Sequence, residues 1–162
     1  MKAVELSSKH LYNDFDTSSE GDILNIVNIN FSGINAKREN ALKGNLSISN
    51  NVKLTDLTES KFGNDSAKKT LKVSFDFSTE YKPEFASIML NGNLLMVVDS
   101  DKADEMLSSW EESKKLDMDS TKKVLQAIMN KSLLQTIVVA RELDLPAPIK
   151  LPVVSDKKAS EQ

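Results

Sequence analysis

Several stretches of the chain alternate apolar and polar side chains with the period of two that is typical of β-strands. The clearest stretch covers residues 71–81, where the even-numbered positions are polar. Its other face consists of Leu71, Val73, Phe75, Phe77, Thr79 and Tyr81. Because one face of such a strand is solvated, the pattern favours an antiparallel sheet over a parallel sheet, which is covered on both faces.

Two further strands are predicted before this one. The first begins at Ile23, and Gly33 stands where a bulge would let the strand continue toward Ala36. The second follows Gly44, and its apolar residues keep a single even-numbered phase up to Leu54. Each of these strands therefore also has one apolar face and one wet face.

A fourth strand is predicted from about Phe85 to Val98. Its last part is apolar on both faces, because Leu95 and Val97 join the face that is already apolar. A strand end of this kind needs cover on both sides, so we interpret Leu95 and Val97 as part of a subunit interface.

The apolar period then changes to that of helices. The first predicted helix begins with a cap at Asp99 or Ser100 and carries an apolar stripe that includes Met106 and Trp110. Residues 116–118 interrupt the pattern before the next helix.

The second predicted helix has its cap at Asp119 or Ser120 and ends near Leu143. Its second half is apolar nearly all round, which is typical of a buried helix and exceeds what one sheet face covers. Self-association is therefore expected, through Leu133, Leu134, Ile137 and Val138. A proline-rich segment, residues 145–154, follows the helix.

Composition narrows the class of protein without naming a function. The 162 residues suit one domain, which we assign to residues 23–154, with a flexible polar arm over 1–22 and a flexible tail over 155–162. The net charge of −3 is the opposite of the positive charge that nucleic-acid binding requires, so nucleic acid is not expected as a partner. No apolar run is long enough to span a membrane. With no cysteine and no apolar leader-like stretch at the N-terminus, a cytoplasmic protein is expected.

The chain offers no recognisable catalytic or cofactor site. His10, the single histidine, lies in the polar arm without evident partners, and the five glycines are too dispersed to cradle phosphate. The acidic residues from Asp14 to Asp22 alternate like calcium ligands, but the positions that an EF-hand gives to glycine and glutamate hold Ser19 and Asn25. We therefore expect no enzyme activity, no cofactor and no metal.

The order of elements resembles that of the SecB protein-export chaperone family and its SecB-like relatives. The resemblance covers about residues 25–154, and it is strongest in the alternating strand 71–81, in Leu90-Asn91-Gly92-Asn93-Leu94, and in the last helix with its exit Leu145-Pro146-Ala147-Pro148-Ile149-Lys150-Leu151-Pro152-Val153-Val154. It implies an α+β fold in which a four-stranded antiparallel sheet is followed by two helices packed on one face. It also implies a dimer of dimers, joined through sheets and helices.

The same resemblance implies a holdase that binds apolar segments of non-native polypeptides without ATP. The residues that we expect to line its apolar groove are Phe75, Phe77, Tyr81, Phe85, Met106 and Trp110. The tail departs from the export chaperone, because residues 155–162 contain none of the cysteine and histidine ligands of its zinc-binding tail. A standard hand-off to a SecA-type motor is thus in doubt, and a chaperone dedicated to one client, such as an antitoxin, fits equally.

Two other classes of function remain open. A non-catalytic scaffold or adaptor would use the apolar helix only for self-assembly, and dye binding would distinguish it because a pure scaffold leaves no large apolar patch open. An enzyme of the hot-dog type is a third alternative, although the apolar helix comes last here and has only Asn130 and Thr136 as polar groups in its interior.

Overall fold

The computed structural model describes residues 24–39, 41, 44–63 and 65–149. Its elements are β1 (Asn25–Arg38), β2 (Ser47–Ser60), β3 (Lys68–Lys82), β4 (Ala86–Asp99), α1 (Ser100–Ser113) and α2 (Met118–Glu142). The strands form one antiparallel sheet in the order β1-β4-β3-β2, so β1 and β2 are the edge strands. The predicted α+β class, a four-stranded antiparallel sheet followed by two helices, is confirmed. The predicted arm, with His10, and the predicted tail lie outside the described residues.

The two helices pack on one face of the sheet, which we call the inner face. The two central strands supply most of the core, through every second residue of β3 and β4. The outer face is polar along its middle, where the Ser74 hydroxyl donates a hydrogen bond to Asn93 Oδ1 (2.9 Å) and Asn91 Nδ2 donates to Asp76 Oδ1 (2.6 Å). The alternation of apolar and polar residues along the strands thus corresponds to one face covered by the helices and one face open to solvent.

Three register shifts shape the edge strands, and the first lies between Ile26 and Asn28 in β1. In β1 the register shifts between Phe31 and Gly33, which confirms the bulge expected at that glycine. In β2 the register shifts between Leu54 and Asp56, and this shift returns an odd-numbered residue, Leu57, to the inner face. The even-numbered apolar phase of β2 therefore ends at Leu54 because one extra residue is inserted there.

The helix α2 buries a stripe with a spacing of four residues, which runs along its full length. The stripe consists of Ser120, Val124, Ile128, Ser132, Thr136 and Ala140. Its second half is made of small side chains, and the Thr136 hydroxyl donates to the carbonyl of Ser132 (2.8 Å), so the helix can approach the sheet closely there. Neither helix of the described residues combines the length and the apolar character that crossing a bilayer requires.

The segment after α2 crosses the inner face and is held by side chains from three strands. Arg38 Nη1 donates to the carbonyl of Leu143 (2.9 Å), the Tyr81 hydroxyl donates to the carbonyl of Pro146 (2.9 Å), and Asn50 Nδ2 donates to the carbonyl of Pro148 (3.0 Å). Burial raises the pKa of Tyr81, so its hydroxyl remains a donor to a higher pH than that of an exposed tyrosine. The proline-rich exit therefore lies as a strap from β1 to β2.

Candidate binding groove

The structure places the six residues that were expected to bind a client inside or against the core. Phe75, Phe77 and Tyr81 lie on the inner face of β3, and Phe85 packs beneath the guanidinium of Arg38, which is 5.4 Å from its ring centroid. Met106 and Trp110 form the buried stripe of α1 together with Ala103. Of the six, Trp110 alone also lines the groove described next. A client-binding role for the other five stays a prediction, because the folded protomer does not present them at its surface.

An open groove of about 860 Å³ lies beside the edge strand β2. One wall is formed by the inner face of β2, and the other by the end of α1, the α1–α2 connection and the first turns of α2. The apolar side chains of the groove are Val52, Leu54, Trp110, Leu116, Met118 and Leu125. Met118 is 85 % exposed, Trp110 is buried, and the other apolar side chains of the groove are half-buried.

The polar part of the groove carries one sign of charge. Three lysines border it from the side of the helices, Lys114, Lys115 and Lys122, and no acidic side chain lines it among the described residues. Lys53 also contributes to the lining, but its odd-numbered position in β2 belongs to the outer face of the sheet. The ammonium of Lys114 stands over the ring of Trp110, 5.8 Å from the centroid. An apolar surface with a lysine border suits a ligand that is apolar in its middle and acidic at its ends.

Local chain geometry explains why the groove opens at this point. The helix α1 ends because Lys114 adopts a left-handed backbone conformation (φ 56°) and returns its N–H to the carbonyl of Trp110. The next helix begins two residues earlier than expected: Asp117 is its N-cap and accepts from the N–H of Ser120 (3.0 Å), so the predicted cap at Asp119 or Ser120 is wrong. The connection is thus short, and it leaves Leu116 and Met118 at the groove.

Asp117 also ties the two helices together, since its carboxylate lies 3.3 Å from the ammonium of Lys102 in α1. Partial burial alone would raise the pKa of Asp117, but the hydrogen bonds from Ser120 and the charge of Lys102 outweigh that effect and lower the pKa below its usual range. The charged form of Asp117 is therefore the form that stabilises this wall of the groove.

We expect Asp117→Ala to lower the free energy of unfolding by about 1 kcal/mol at pH 7, as the loss of an N-cap does. A carboxylate with a lowered pKa stabilises the fold above its unfolded-state pKa of about 4, and this contribution disappears as the pH falls through the folded-state pKa. Urea unfolding at a series of pH values measures both effects. The matched control is Asp119→Ala, which removes an exposed carboxylate of the first turn and leaves the cap intact; equal effects of the two changes would contradict the assignment of the cap.

The six residues that were expected at an oligomer interface fall on two surfaces. Leu95 and Val97 are half-buried on the outer face of β4, at the end that pairs with Thr70 and Lys72. On α2, Leu134 and Val138 point away from the buried stripe and are 66 % and 50 % exposed, while Leu133 and Ile137 are half-buried beside them. Their role in assembly stays a prediction.

Most of the groove residues were not singled out from the sequence. Two features of the sequence could have indicated them. One is the alternation that puts Val52 and Leu54 on the apolar face of β2, which is an edge strand. The other is the group of lysines around the apolar residues that separate the two helices. Within the described ranges, no group of three or more histidine, cysteine, aspartate or glutamate side chains is placed to hold a metal ion. The groove is therefore best understood through apolar contact and charge.

Comparisons with known proteins bear on the fold. No protein-family model matches the chain, and no curated protein matches it. Among solved structures, the chain is similar to a SecB-like chaperone of Mycobacterium tuberculosis, determined in complex with a ChAD peptide from the HigA1 antitoxin. The two share 14 % identity with a TM-score of 0.47, over 82 % of this chain and 91 % of that chain. A similarity at this level gives no information on what this chain binds.

Proposed function

We propose that this chain is an ATP-independent holdase that binds apolar segments of non-native polypeptides in the groove beside β2. The observation that carries the proposal is an open groove with a continuous apolar lining, in which Met118 is exposed and Val52 is half-buried, next to an edge strand of the described sheet. Soluble monomers seldom leave such a combination open unless a partner covers it.

Three physical contributions would hold a client there. Burial of apolar surface is worth about 25 cal/mol per Å², reduced by the cost of ordering the client. The free edge of β2 offers backbone N–H and C=O groups that an extended segment can pair with. The third contribution is charge, because the lysines that border the groove attract acidic groups of a client.

The lysine border selects among apolar segments. A client with acidic residues on either side of its apolar stretch gains favourable charge pairing, and one with basic flanks is disfavoured. The interaction needs no nucleotide, because burial supplies the free energy and release follows from client folding or transfer. In this proposal the protein acts in the cytoplasm, either for export clients or for one dedicated client such as an antitoxin.

The test is the suppression of aggregation. A chemically unfolded model protein is diluted into buffer with and without this protein, in the absence of nucleotide, and light scattering is recorded. The proposal expects scattering to fall as the ratio of protein to client approaches one assembly per client. Unchanged scattering at a large excess would contradict a general holdase, and the antitoxin-type, dedicated form would then require a defined client.

Self-association through α2 is the second part of the proposal. The exposed side chains Leu134 and Val138, with Leu133 and Ile137 beside them, form an apolar strip that a second copy would cover. We expect Leu134→Lys together with Val138→Lys to shift the protein toward the monomer in light scattering coupled to size-exclusion chromatography, because each lysine would have to be desolvated at the interface. The control is Gln126→Lys with Asn130→Lys, on exposed polar positions of the same helix. If the unchanged protein, the Leu134→Lys/Val138→Lys variant and the control had the same mass, the interface would lie elsewhere or the chain would be monomeric.

A further inference from the structure

The lysines of the groove have no acidic partners in the part of the chain that the structure describes. No ion pair joins Lys114, Lys115 or Lys122 to a described carboxylate. Three such cations beside an apolar surface favour the binding of an acidic segment with apolar side chains. The chain itself contains one.

Residues 11–22 have the complementary composition. They contain four acidic residues and no lysine or arginine, and Leu11, Tyr12 and Phe15 supply apolar side chains. The other terminal segment does not match, because residues 150–162 contain three lysines, Lys150, Lys157 and Lys158, against two acids, Asp156 and Glu161. Charge therefore favours the N-terminal segment over the C-terminal one.

The length of chain allows this segment to reach the groove of its own protomer. Phe31, Gly92, Phe75 and Leu54 pair in one row across the sheet, so β1 and the groove are three strand spacings apart, or about 14 Å. The start of β1 at Asn25 lies six residues from that row, about 20 Å along the strand. The diagonal is therefore about 25 Å, whereas the twelve residues from Tyr12 to Leu24 can span up to about 40 Å.

We propose that residues 11–16 bind in the groove of their own protomer, with Asp14 and Asp16 on its lysines and Leu11, Tyr12 and Phe15 on its floor, and that a client must displace them. Residues 17–24 then form the linker to β1, since eight residues can span about 27 Å. The inference rests on the proposed function for its consequence, which is the regulation of client access. Because the segment is tethered to the protomer, its effective concentration at the groove is high. A client that makes only weak apolar contacts therefore does not displace the segment, and a client that binds more tightly does. The charge pairing also makes the segment easier to displace at high salt.

The amino-acid composition of the chain allows a test by quenching of tryptophan fluorescence. Trp110, in the wall of the groove, is the only tryptophan, and there is no cysteine. Asn13→Cys in the full-length protein takes a nitroxide that quenches tryptophan emission when it is close. We expect a loss of Trp110 emission in this protein, and none when the nitroxide is carried by Ser160→Cys in the other terminal segment.

Charge exchange distinguishes docking from chance proximity. Lys115→Glu with Lys122→Glu should restore the emission of the protein labelled at residue 13. Adding Asp14→Lys and Asp16→Lys to that variant should bring the quenching back, a rescue that a merely structural effect of the lysines would not produce. The proposal would be overturned if neither the Lys→Glu changes nor the added Asp→Lys changes altered the quenching. Full emission from the protein labelled at residue 13 and otherwise unchanged would also overturn it.

Two additions identify the occupant. An excess of unlabelled protein leaves the quenching unchanged if the segment binds its own protomer, and a loss of quenching would assign the groove to the arm of a second copy and overturn the proposal. Titration with a reduced, unfolded client should recover the emission. Quenching that no client relieves would contradict the proposed client site but leave the docking of residues 11–16 standing, so the two failures are distinguishable.

Discussion

Val52→Ser combined with Met118→Ser is expected to weaken client binding about 30-fold. The two side chains lie on opposite walls of the groove, where Met118 is largely exposed and Val52 is half-buried at the margin of the core, so their truncation removes apolar contact area from both walls. The loss of that contact is worth on the order of 2 kcal/mol, which corresponds to a roughly 30-fold increase in Kd. Fluorescence anisotropy of a labelled peptide with an apolar middle and acidic flanks measures the change directly.

The matched control for this prediction is Phe62→Ser. Phe62 is 87 % exposed in the β2–β3 connection and does not line the groove, so it is an apolar side chain of at least equal exposure in another place. Its removal should leave the Kd of the peptide unchanged. If Phe62→Ser weakened binding as much as the double change in the groove, binding would follow general surface hydrophobicity and the groove would have no special role.

Gly92→Ala is expected to lower the free energy of unfolding by about 3 kcal/mol. A Cβ at this position in β4 would lie 2.5 Å from the backbone oxygen of Asn30 and 2.7 Å from the ring of Phe75. The backbone oxygen belongs to the neighbouring strand and cannot turn aside, and Phe75 is fixed by its edge-to-face contact with Phe31, at 6.3 Å between ring centroids. Differential scanning calorimetry should show a fall in Tm of about 10 °C for a chain of this size.

Gly33→Ala provides the comparison, because this glycine lies in the adjacent strand at the bulge. A Cβ there would meet only the side chain of Asn91, with the oxygen at 3.2 Å, and that side chain can rotate. We expect a change in Tm of about 3 °C or less. Equal melting temperatures for Gly92→Ala and the unchanged protein would show that the strands β1 and β4 are not packed as closely as the fold requires.

The strands and helices could be predicted because their patterns are local. The period of two in β3 and the glycine at the bulge of β1 are visible without any knowledge of neighbours. The bulge of β2 was missed, although Leu54 and Leu57 stand in opposite phases and only an inserted residue can bring both to one face. The cap of α2 was placed two residues late, because Asp117, Asp119 and Ser120 are all good capping residues and only the fold shows which one accepts the backbone N–H.

The binding surface was harder to predict because burial depends on which strands lie at the edges. Alternation places Phe75 and Phe77 on the same face as Val52 and Leu54, but it does not say that β3 is central and β2 is an edge. The helices cover the central strands, so the large aromatic side chains become core and the smaller apolar residues at the edge remain accessible. Aromatic content alone therefore indicated the inner face of the sheet but not the strand beside which the groove opens.

Site-specific photocrosslinking tests the central claim most directly. A benzophenone on Met118→Cys, in the otherwise cysteine-free chain, is irradiated in the presence of a reduced, unfolded client, and the same label on Phe62→Cys serves as the reference. The account predicts that the client crosslinks strongly from residue 118 and weakly from residue 62, and that the folded form of the same client does not crosslink. Equal crosslinking from the two positions, or none from residue 118, would contradict the groove as the site of polypeptide binding.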